Sequence, residues 1–366
     1  MSQLTCGFIG LGLIGGSIAR AFRQYIPDTI IVAYDVNKES LKLAKEEGIA
    51  DMIADAIDET FHSCDYLFLC APVQRNDSNL KAVKNVISKS CVLTDVGSVK
   101  TGIHEAVRQA GLEDCFIGGH PMAGSERVGF ANSKASLLEN AYYILTPSPT
   151  VSEEKVEAFR QLVTNLCAIP LVLDCRQHDY VTAAISHLPH VVASSLVNLI
   201  RDSDSAEGIM RMVAAGGFKD ITRIASSSAV MWQQICLTNG ENISALLSEY
   251  IDALTKFKKV IDNGDADALY QLFDSARIYR DSFADTSSGP IKRSFSINVD
   301  IADRAGALAH IVTLLAEQNL SIKNISISHN RESEDGVLRV EFYQETSMDE
   351  GLKLLKEAGY NVHIRN

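Results

Sequence analysis

Basic residues are in short supply in this sequence. Its 366 residues include 34 lysines and arginines against 46 aspartates and glutamates, which gives a formal net charge of −12. A chain of that charge repels phosphate backbones, so nucleic acid is not an expected partner, although local basic pockets for small anionic substrates stay open. The eight cysteines form no CxxC pair and have no repeated spacing. We therefore expect free thiols rather than a disulfide framework or a zinc site, and with them a reducing cytoplasm.

Long apolar runs are also scarce. We find no transmembrane span, low-complexity segment or internal repeat, and the N-terminus lacks the basic stretch and clean apolar run of a signal peptide. A membrane partner is therefore not expected. Apolar residues nevertheless make up 46% of the chain, which is enough material for two or three domains.

The first residues show the order strand, glycine-rich turn, helix. A short apolar strand runs into the pattern GxGxxG, whose glycines suit a tight turn, close approach to a pyrophosphate and close packing of helix on strand. The next strand ends in Asp35, 20 residues after Gly15, which is the spacing of a ribose-binding acid and favours NAD over NADP. The alternative is a glycine turn without a dinucleotide. Predicted cofactor contacts are Gly10, Gly12, Leu13, Ile14, Gly15 and Asp35, with Ala71, Pro72 and Gly97 at the ends of later strands.

One histidine lies in a segment that is suited to expose it. Residues 117–126 read IGGHPMAGSE, so two glycines precede His120, and Pro121 disfavours helical angles there. An imidazole with an ordinary pKa of about 6.5 can take a proton near neutral pH. The alternative is a loop histidine that only donates to a carbonyl. Ser98, which follows an apolar strand, could orient His120 by a hydrogen bond, cap the helix that starts near Lys100, or do both.

A pair of cations stands at helical spacing further along. Lys219 and Arg223 are four residues apart, with two glycines before them and apolar neighbours on both sides, which favours a half-buried setting. A dianionic substrate would turn their repulsion into attraction, with Arg223 holding a carboxylate bidentately and Asp220 as an internal counter-ion. The alternative is a solvated helix face.

Residues 178–200 are apolar on nearly every face, which is typical of a central helix or a subunit interface, and we favour an intertwined dimer. Pro189 should kink this helix and free the carbonyl of Ile185, which would bring His187 and His190 to a polar patch. We interpret His190 as a substrate contact. A metal at the HxxH pair is the alternative, but no third ligand has the usual spacing.

Six motifs carry a resemblance to a known family. GFIGLGLIGGS, DVGSVK, GGHPMAGSE, HDYV, SHLPH and GGFKDITRIA occur in that order. On these motifs the first 283 residues resemble the prephenate dehydrogenase family, and residues 295–366 resemble an ACT domain, a small amino-acid-sensing module. Pattern and resemblance together predict an α/β Rossmann-type dinucleotide-binding domain (1–173), an all-helical dimerisation and substrate domain (174–283), a linker (284–293) and a ferredoxin-like α+β ACT domain (294–366).

The resemblance implies oxidative decarboxylation of prephenate with NAD, on the route to tyrosine, and feedback by tyrosine through the ACT domain. His120 matches the catalytic histidine that polarises the ring hydroxyl, Ser98 its orienting partner, and Arg223 the arginine that binds a carboxylate. Positions near the substrate or the site entrance are matched by Lys219, Asp220, His190, Ser125 and Glu126. The effector turn is matched by Asp303, Ala305, Gly306, Ala307 and Leu308, with Asn324 and Ile325 on the next strand.

Two rival functions stay open at this stage. An arogenate or dual-specificity enzyme would keep every motif and differ in a few contacts to the substrate side chain. A catalytically silent amino-acid sensor would keep NAD binding, and the presence of His120, Ser98 and Arg223 argues against it.

Overall fold

The computed structural model describes residues 3–72, 75–124, 127–283, 295–302, 306–329 and 335–364. The chain forms two compact units, Met1–Asp274 and Ser275–Asn366. The predicted fold class is confirmed, while the predicted domain boundaries and the linker, which falls mostly outside the described residues, stay predictions.

A five-stranded parallel sheet opens the first unit. Its order is β3-β2-β1-β4-β5, so the chain leaves β1 in one direction and later returns to its other side. This reversal creates a crevice beyond the carboxyl ends of β1 and β4, which is where such sheets bind ligands. The strands are β1 (Thr5–Ile9), β2 (Ile30–Tyr34), β3 (Met52–Ile53), β4 (Tyr66–Leu69) and β5 (Val92–Asp95), and the helices α1 (Leu13–Tyr25), α2 (Lys38–Glu46), α3 (Asn76–Lys84) and α4 (Thr101–Ala110).

Aromatic side chains fix α1 against this sheet. Phe8 and Phe68, on neighbouring strands, stack with ring centroids 5.0 Å apart, and the ring of Phe22 on α1 meets Phe68 edge-on at 6.0 Å. All three are buried. The glycine turn between β1 and α1 is therefore held by a rigid core on one side.

A second sheet of three strands carries the histidine of the GGHP motif. The strands are β6 (Ile117–Pro121), β7 (Tyr142–Pro147) and β8 (Ile169–Val172), with α5 (Glu153–Asn165) before β8. β7 pairs antiparallel with β6 and parallel with β8. A parallel bridge from Leu93 to Phe116 brings the start of β6 beside β5.

Gly119 makes the close approach of β6 to β5 sterically allowed. A Cβ atom at this position would lie 2.6 Å from the carbonyl oxygen of Asp95, a distance that no real Cβ tolerates. The glycines before His120 thus serve strand packing, and not only ligand approach as the sequence suggested.

Helices follow β8 along the chain, and no strand interrupts the described residues between 175 and 283. They are α6 (Cys175–Thr182), a π-helical turn (Ala183–His187), α7 (Leu188–Ser203), α8 (Ile209–Val213), α9 (Gly216–Thr222), a 3-10 turn (Arg223–Ser226), α10 (Ala229–Thr238), α11 (Gly240–Asp262) and α12 (Ala266–Ser282). The irregularity expected at Pro189 takes the form of the π-helical turn, in which the N–H of Leu188 donates to the carbonyl of Ala183. Proline has no backbone N–H to donate, and a π-helical turn accommodates the missing helical hydrogen bond.

The helical run Cys175–Ser203 has 29 residues and, by length and composition alone, would be able to cross a membrane. This corrects the expectation that no stretch of the chain is long and apolar enough to span a membrane. Ile185 and Leu199 on this run are exposed in the single chain. A subunit-interface helix has the same composition.

The second unit is an antiparallel sheet in the order β10-β11-β9-β12, built from the sequence βαββαβ. Its elements are β9 (Phe295–Ala302), α13 (Ala307–Glu317), β10 (Ile322–His329), β11 (Asp335–Phe342), α14 (Glu345–Glu357) and β12 (Val362–Ile364). Ile297, Val340, Ile311 and Leu355 form part of its buried core. This confirms the predicted ferredoxin-like arrangement.

Candidate active site

The glycine turn between β1 and α1 has the geometry of a phosphate cradle. Gly10 has φ of +99°, and a Cβ there would lie 2.6 Å from the backbone nitrogen of Ala71. A Cβ at Gly15 would lie 2.6 Å from the carbonyl oxygen of Gly10, whereas a Cβ at Gly12 would meet nothing within 4 Å. Gly10 and Gly15 are therefore needed for packing, and Gly12 leaves open space on the ligand side.

The start of α1 adds hydrogen-bond donors to this cradle. Gly12 is the N-cap residue and provides no side-chain cap, so the first-turn N–H groups, among them those of Leu13 and Ile14, are available to an anion. Asp35 lies at the end of β2, where it accepts from the N–H groups of Leu11 at 2.5 Å and Asn37 at 2.7 Å. Its carboxylate thus braces the turn at the position that a ribose-binding acid needs.

Ala71, Pro72 and Gly97 lie at the carboxyl ends of β4 and β5, on the same edge of the sheet as the glycine turn. Ala71 and Gly97 are half-buried, and Pro72 is exposed. The N–H of Gly97 donates to the carboxylate of Asp95 at 2.9 Å. The structure therefore brings the sequence-predicted cofactor residues to one crevice, although their contact with a cofactor stays a prediction.

His120 lies near the end of β6 and is 9% exposed. Its Nδ1 is hydrogen-bonded at 2.8 Å to Nε2 of His178 on α6, and Nε2 of His120 makes no hydrogen bond within the described part of the chain. Burial lowers the pKa of His120 well below its ordinary value, and nearby His178, Lys100 and His187 lower it further. The ring is thus a neutral base at physiological pH, and not a loop histidine that donates to a carbonyl.

His178 is held in turn by Asp179. Nδ1 of His178 lies 2.8 Å from the Oδ1 atom of Asp179, and both side chains are buried. Asp179 also accepts from the backbone N–H groups of Lys100 at 2.7 Å and Thr101 at 2.8 Å, which caps the first turn of α4. Burial raises the pKa of Asp179, but the hydrogen bonds from His178, Thr101 and Lys100 outweigh burial, and the net pKa is below the ordinary value.

A buried lysine positions the strand that carries His120. Nζ of Lys100 donates to the carboxylate of Asp95 at 2.5 Å and to the carbonyl oxygen of Gly119 at 2.7 Å. Lys100 is fully buried, and burial lowers its pKa although Asp95 opposes that effect. Because Gly119 directly precedes His120, the lysine fixes the backbone at the catalytic candidate.

Ser98 does not orient His120 in this structure. Ser98 is half-buried, and no hydrogen bond joins it to His120 in the described residues; the partner of Nδ1 is His178. Nor does Ser98 cap α4, because the cap comes from Asp179. Both expected roles of Ser98 within the protein are therefore wrong, and a role toward a ligand stays a prediction.

An aromatic pair lines the polar patch at the start of α7. The rings of His190 and Trp232 stack with centroids 3.6 Å apart, and a ring nitrogen of His190 is hydrogen-bonded to the carbonyl of Ser186 at 2.9 Å. Burial lowers the pKa of His190, and Arg223 lies close enough for its positive charge to contribute to that shift. The indole nitrogen of Trp232 is buried and has no hydrogen-bond partner among the described residues.

The cationic pair Lys219 and Arg223 is exposed, where the sequence predicted a half-buried setting. Lys219 is in α9, whereas Arg223 begins the following 3-10 turn, and the side chains of Lys219, Asp220 and Arg223 are all exposed in the single chain. No ion pair joins them in the described residues, so the half-buried setting and the counter-ion role of Asp220 are wrong for one subunit alone. Ser125 and Glu126 lie outside the described residues.

Sequence reasoning missed His178, Asp179, Lys100 and Trp232 as site residues. The first three occur in the motifs HDYV and DVGSVK, so a signal was present, but His178 is 58 residues from His120 along the chain. Nothing in the sequence pairs them.

In the second unit, Gly306 is the N-cap residue of α13 and has φ of +90°. A Cβ there would meet no atom within 4 Å, so the turn needs glycine for its backbone angle and not for space. Ala307 and Leu308 open α13, and Asn324 and Ile325 are exposed on β10, an edge strand. Asp303 and Ala305 lie outside the described residues.

Three family models match the chain: the nucleotide-binding domain of prephenate dehydrogenase at residues 18–169, its dimerization domain at residues 174–275, and the ACT domain at residues 295–360. The prephenate dehydrogenase of Bacillus subtilis (strain 168) is 36% identical over 346 residues, which are 93% of each chain.

Two solved structures are similar to about three quarters of the chain. Prephenate dehydrogenase from A. aeolicus, in complex with hydroxyphenyl propionate and NAD+, is 30% identical with a TM-score of 0.73 and covers 77% of this chain and 99% of its own. Synechocystis arogenate dehydrogenase is 26% identical with a TM-score of 0.70 and covers 77% of this chain and 100% of its own.

Proposed function

Because this chain belongs to the prephenate dehydrogenase family and carries an ACT domain, we propose that it converts prephenate to 4-hydroxyphenylpyruvate and carbon dioxide, in tyrosine biosynthesis. The observation that carries this proposal is His120, a buried and neutral imidazole beside the nucleotide crevice, whose Nε2 has no partner in the described residues. A base in that state suits removal of a hydroxyl proton.

NAD is the proposed cofactor, and when bound it would accept the hydride from the ring carbon that bears the hydroxyl. Gly12 would let the backbone approach its pyrophosphate, the first-turn N–H groups of α1 would donate to it, and Asp35 would accept from the ribose hydroxyls. The open space at Gly12 and the uncapped helix start support this fit.

His120 would manage the single proton of the reaction. As the ring carbon is oxidised, the hydroxyl proton passes to Nε2 of His120 and the C–O single bond becomes a carbonyl. The ring carboxylate then departs as carbon dioxide, because the electrons of the broken C–C bond complete an aromatic ring. The oxygen left as a phenolate regains a proton from His120, so no proton is gained or lost over the whole sequence.

We assign recognition of the diacid substrate to Lys219 and Arg223, which form the cationic side of the site. Arg223 would bind one carboxylate bidentately, and the further proposed substrate or entrance residues are Lys219, Asp220, His190, Ser125 and Glu126. Since Lys219 and Arg223 are exposed in one chain, a homodimer formed through the helical domain would cover them. Exposed apolar side chains on its helices, such as Leu199, Ile221 and Leu254, support that assembly.

Tyrosine is the proposed effector of the ACT domain, and its proposed contacts are Asp303, Ala305, Gly306, Ala307, Leu308, Asn324 and Ile325. The start of α13 has no side-chain cap, so its N–H groups could receive the carboxylate of an amino acid. A cytoplasmic location belongs to the same proposal, because all eight cysteines are free thiols, as the sequence predicted.

Steady-state assays of the purified chain test the main proposal. With prephenate and NAD we expect NADH and 4-hydroxyphenylpyruvate in equal amounts. Formation of no NADH, while tyrosine still binds, would establish the silent sensor instead. The similarity to Synechocystis arogenate dehydrogenase makes arogenate the second candidate substrate, and a higher kcat/KM with arogenate than with prephenate would replace our assignment.

A further inference from the structure

Three buried side chains form a continuous hydrogen-bonded line into the active site. Asp179 is bonded to Nδ1 of His178 at 2.8 Å, and Nε2 of His178 is bonded to Nδ1 of His120 at 2.8 Å. His178 and Asp179 are 0% and 1% exposed, so water cannot substitute for a missing partner. His120 is the only one of the three that the proposed function uses.

The line fixes where the protons are. Both oxygens of the Asp179 carboxylate accept from backbone N–H groups at the start of α4, and the pKa of Asp179 lies below its ordinary value, so the carboxylate is ionised. Nδ1 of His178 must then carry a hydrogen, and when the ring carries no second hydrogen its Nε2 can only accept. Nδ1 of His120 must therefore be the donor, which leaves a lone pair on Nε2, the atom that meets the substrate.

We propose that His178 and Asp179 are a positioning pair and a proton store for His120. In the resting enzyme they hold His120 in the tautomer with a bare Nε2. When Nε2 takes the hydroxyl proton, the Nδ1 hydrogen of His120 moves to Nε2 of His178, and the positive charge comes to rest beside the Asp179 carboxylate. The transfer reverses when the phenolate oxygen is reprotonated. The direction of these transfers rests on the proposed function.

The charges around the line explain why the store is needed. A cation on His120 alone would be buried and would face the ammonium of Lys100, with neutral His187 also close by. Lys100 is already neutralised by Asp95, so Asp95 offers little further help. Among the described residues, the other anion in contact with the line is the Asp179 carboxylate on α6, and moving the charge onto His178 brings it within 2.8 Å of that carboxylate.

The resting tautomers can be measured without any substitution. We would label the wild-type full-length chain with ¹⁵N-histidine and record the ring nitrogen shifts near neutral pH, with the resonances assigned from His120→Asn and His178→Gln. The expected result is a protonated Nδ1 and an unprotonated Nε2 in both rings. A hydrogen on Nε2 of His120 would overturn the proposal, whatever the activity of the protein.

Kinetics test the store. His178→Gln keeps an acceptor for Nδ1 of His120 but cannot carry a proton, whereas His178→Phe removes the acceptor as well. We expect kcat to fall about tenfold or more in His178→Gln and further in His178→Phe, with the limit set by the roughly 10²–10⁴-fold that acid–base catalysis supplies. KM for NAD and prephenate should change little. His62→Gln, at an exposed histidine bonded to the Val86 carbonyl, is the matched control and should retain full kcat.

The pH profile separates the store from a merely structural role. Without His178, a proton must remain on buried His120, which makes protonation harder. In wild type the acid limb of the kcat/KM profile reports the coupled His120–His178 pair, so this limb should move to lower pH in His178→Gln. Loss of activity with an unmoved limb, or full kcat in His178→Gln, would refute the store. If wild type forms no NADH from prephenate, the proposed function fails, but the tautomer measurement still decides the resting arrangement.

Discussion

At the scale of the residue, burial determines the chemistry of this site. An exposed histidine would be partly protonated near neutral pH, but burial removes the solvation that an imidazolium needs and lowers the pKa of His120. The same desolvation acts on Lys100, which stays paired because Asp95 lies 2.5 Å away. Loss of one partner of such a buried pair costs about 3–5 kcal/mol, because the other charge is left uncompensated.

His120→Asn is expected to remove most of the turnover and to spare cofactor binding. Asparagine keeps a polar group at the site but offers no basic nitrogen, so kcat should fall by about 10²–10⁴-fold. Stopped-flow or steady-state assays with prephenate give kcat, and fluorescence titration gives the Kd for NAD. Near-normal turnover would remove His120 from the mechanism.

Stability should decline in mild acid because His187 is buried and neutral. Burial lowers its pKa to about 4 from the ordinary value of about 6.5. The unfolded chain therefore binds the proton first, and the stability present above about pH 6.5 is lost as the pH falls towards about 4, at roughly 1.4 kcal/mol per pH unit.

Urea denaturation between pH 7 and pH 4 measures this loss. His187→Gln, whose amide can still meet Asn239, should show a shallower decline over the same range. An identical decline in wild type and variant would show that other groups cause the acid sensitivity.

At the scale of the element, the position of His120 depends on how closely β6 lies against β5. Lys100 ties the carbonyl of Gly119, and Asp95 accepts from the N–H of Gly119 at 3.2 Å, so both backbone groups of one residue are fixed by the end of β5 and the start of α4. Asp179 fixes α4 to α6 by capping its first turn. Four elements thus share one buried polar cluster, which makes the histidine position rigid.

Gly119→Ala is expected to impair both stability and catalysis. The added methyl group would lie 2.6 Å from the Asp95 carbonyl oxygen, so β6 must move and carry His120 with it. We expect a loss of about 1–3 kcal/mol, typical of overpacking, and a fall in kcat.

Gly102→Ala is the matched control, because a Cβ at Gly102 in α4 meets nothing within 4 Å. It should raise or preserve stability. Thermal unfolding and kcat of both variants decide the matter, and a fully active, fully stable Gly119→Ala protein would contradict the steric argument.

At the scale of the whole molecule, the helices of one chain expose large apolar side chains that a monomeric protein would normally cover. Ile185 and Leu199 on the long helical run and Ile251 and Leu254 on α11 are all exposed in one chain. Surfaces of this kind normally lie in an interface. The proposed dimer would bury them and would also enclose the cationic side of the site.

Leu254→Glu should therefore weaken the dimer. A buried carboxylate without a partner is costly, so the variant should shift toward monomer at micromolar concentration and lose prephenate turnover. Met52→Glu, on the exposed edge strand of the nucleotide-binding sheet, should remain dimeric. Sedimentation velocity distinguishes the two, and a monomeric wild type would refute the assembly.

Gly306→Val is expected to abolish inhibition by tyrosine and to leave kcat unchanged. Valine is strained at φ of +90°, so the start of α13 would change shape and its N–H groups would no longer be placed to receive the proposed carboxylate. Tyrosine titration of the prephenate assay measures the effect. Persistent inhibition would move the effector site away from this turn.

The sequence by itself determined the element order, the parallel nucleotide-binding sheet and the ferredoxin-like second unit, and it singled out His120 as the catalytic candidate. These follow from local patterns, because the periodicity of apolar residues and the positions of glycine and proline act over a few neighbouring residues. The motifs also contained His178, Asp179 and Lys100, but without any sign of what they touch.

Only the tertiary structure decided which groups surround His120. The partner is His178 and not Ser98, because β6 and α6 meet in space although they are far apart in sequence. The π-helical turn at Pro189 and the exposure of Arg223 in a single chain were likewise set by packing. The state of a titratable group depends on its burial and on charges brought near by the fold, and neither quantity exists until distant segments come together.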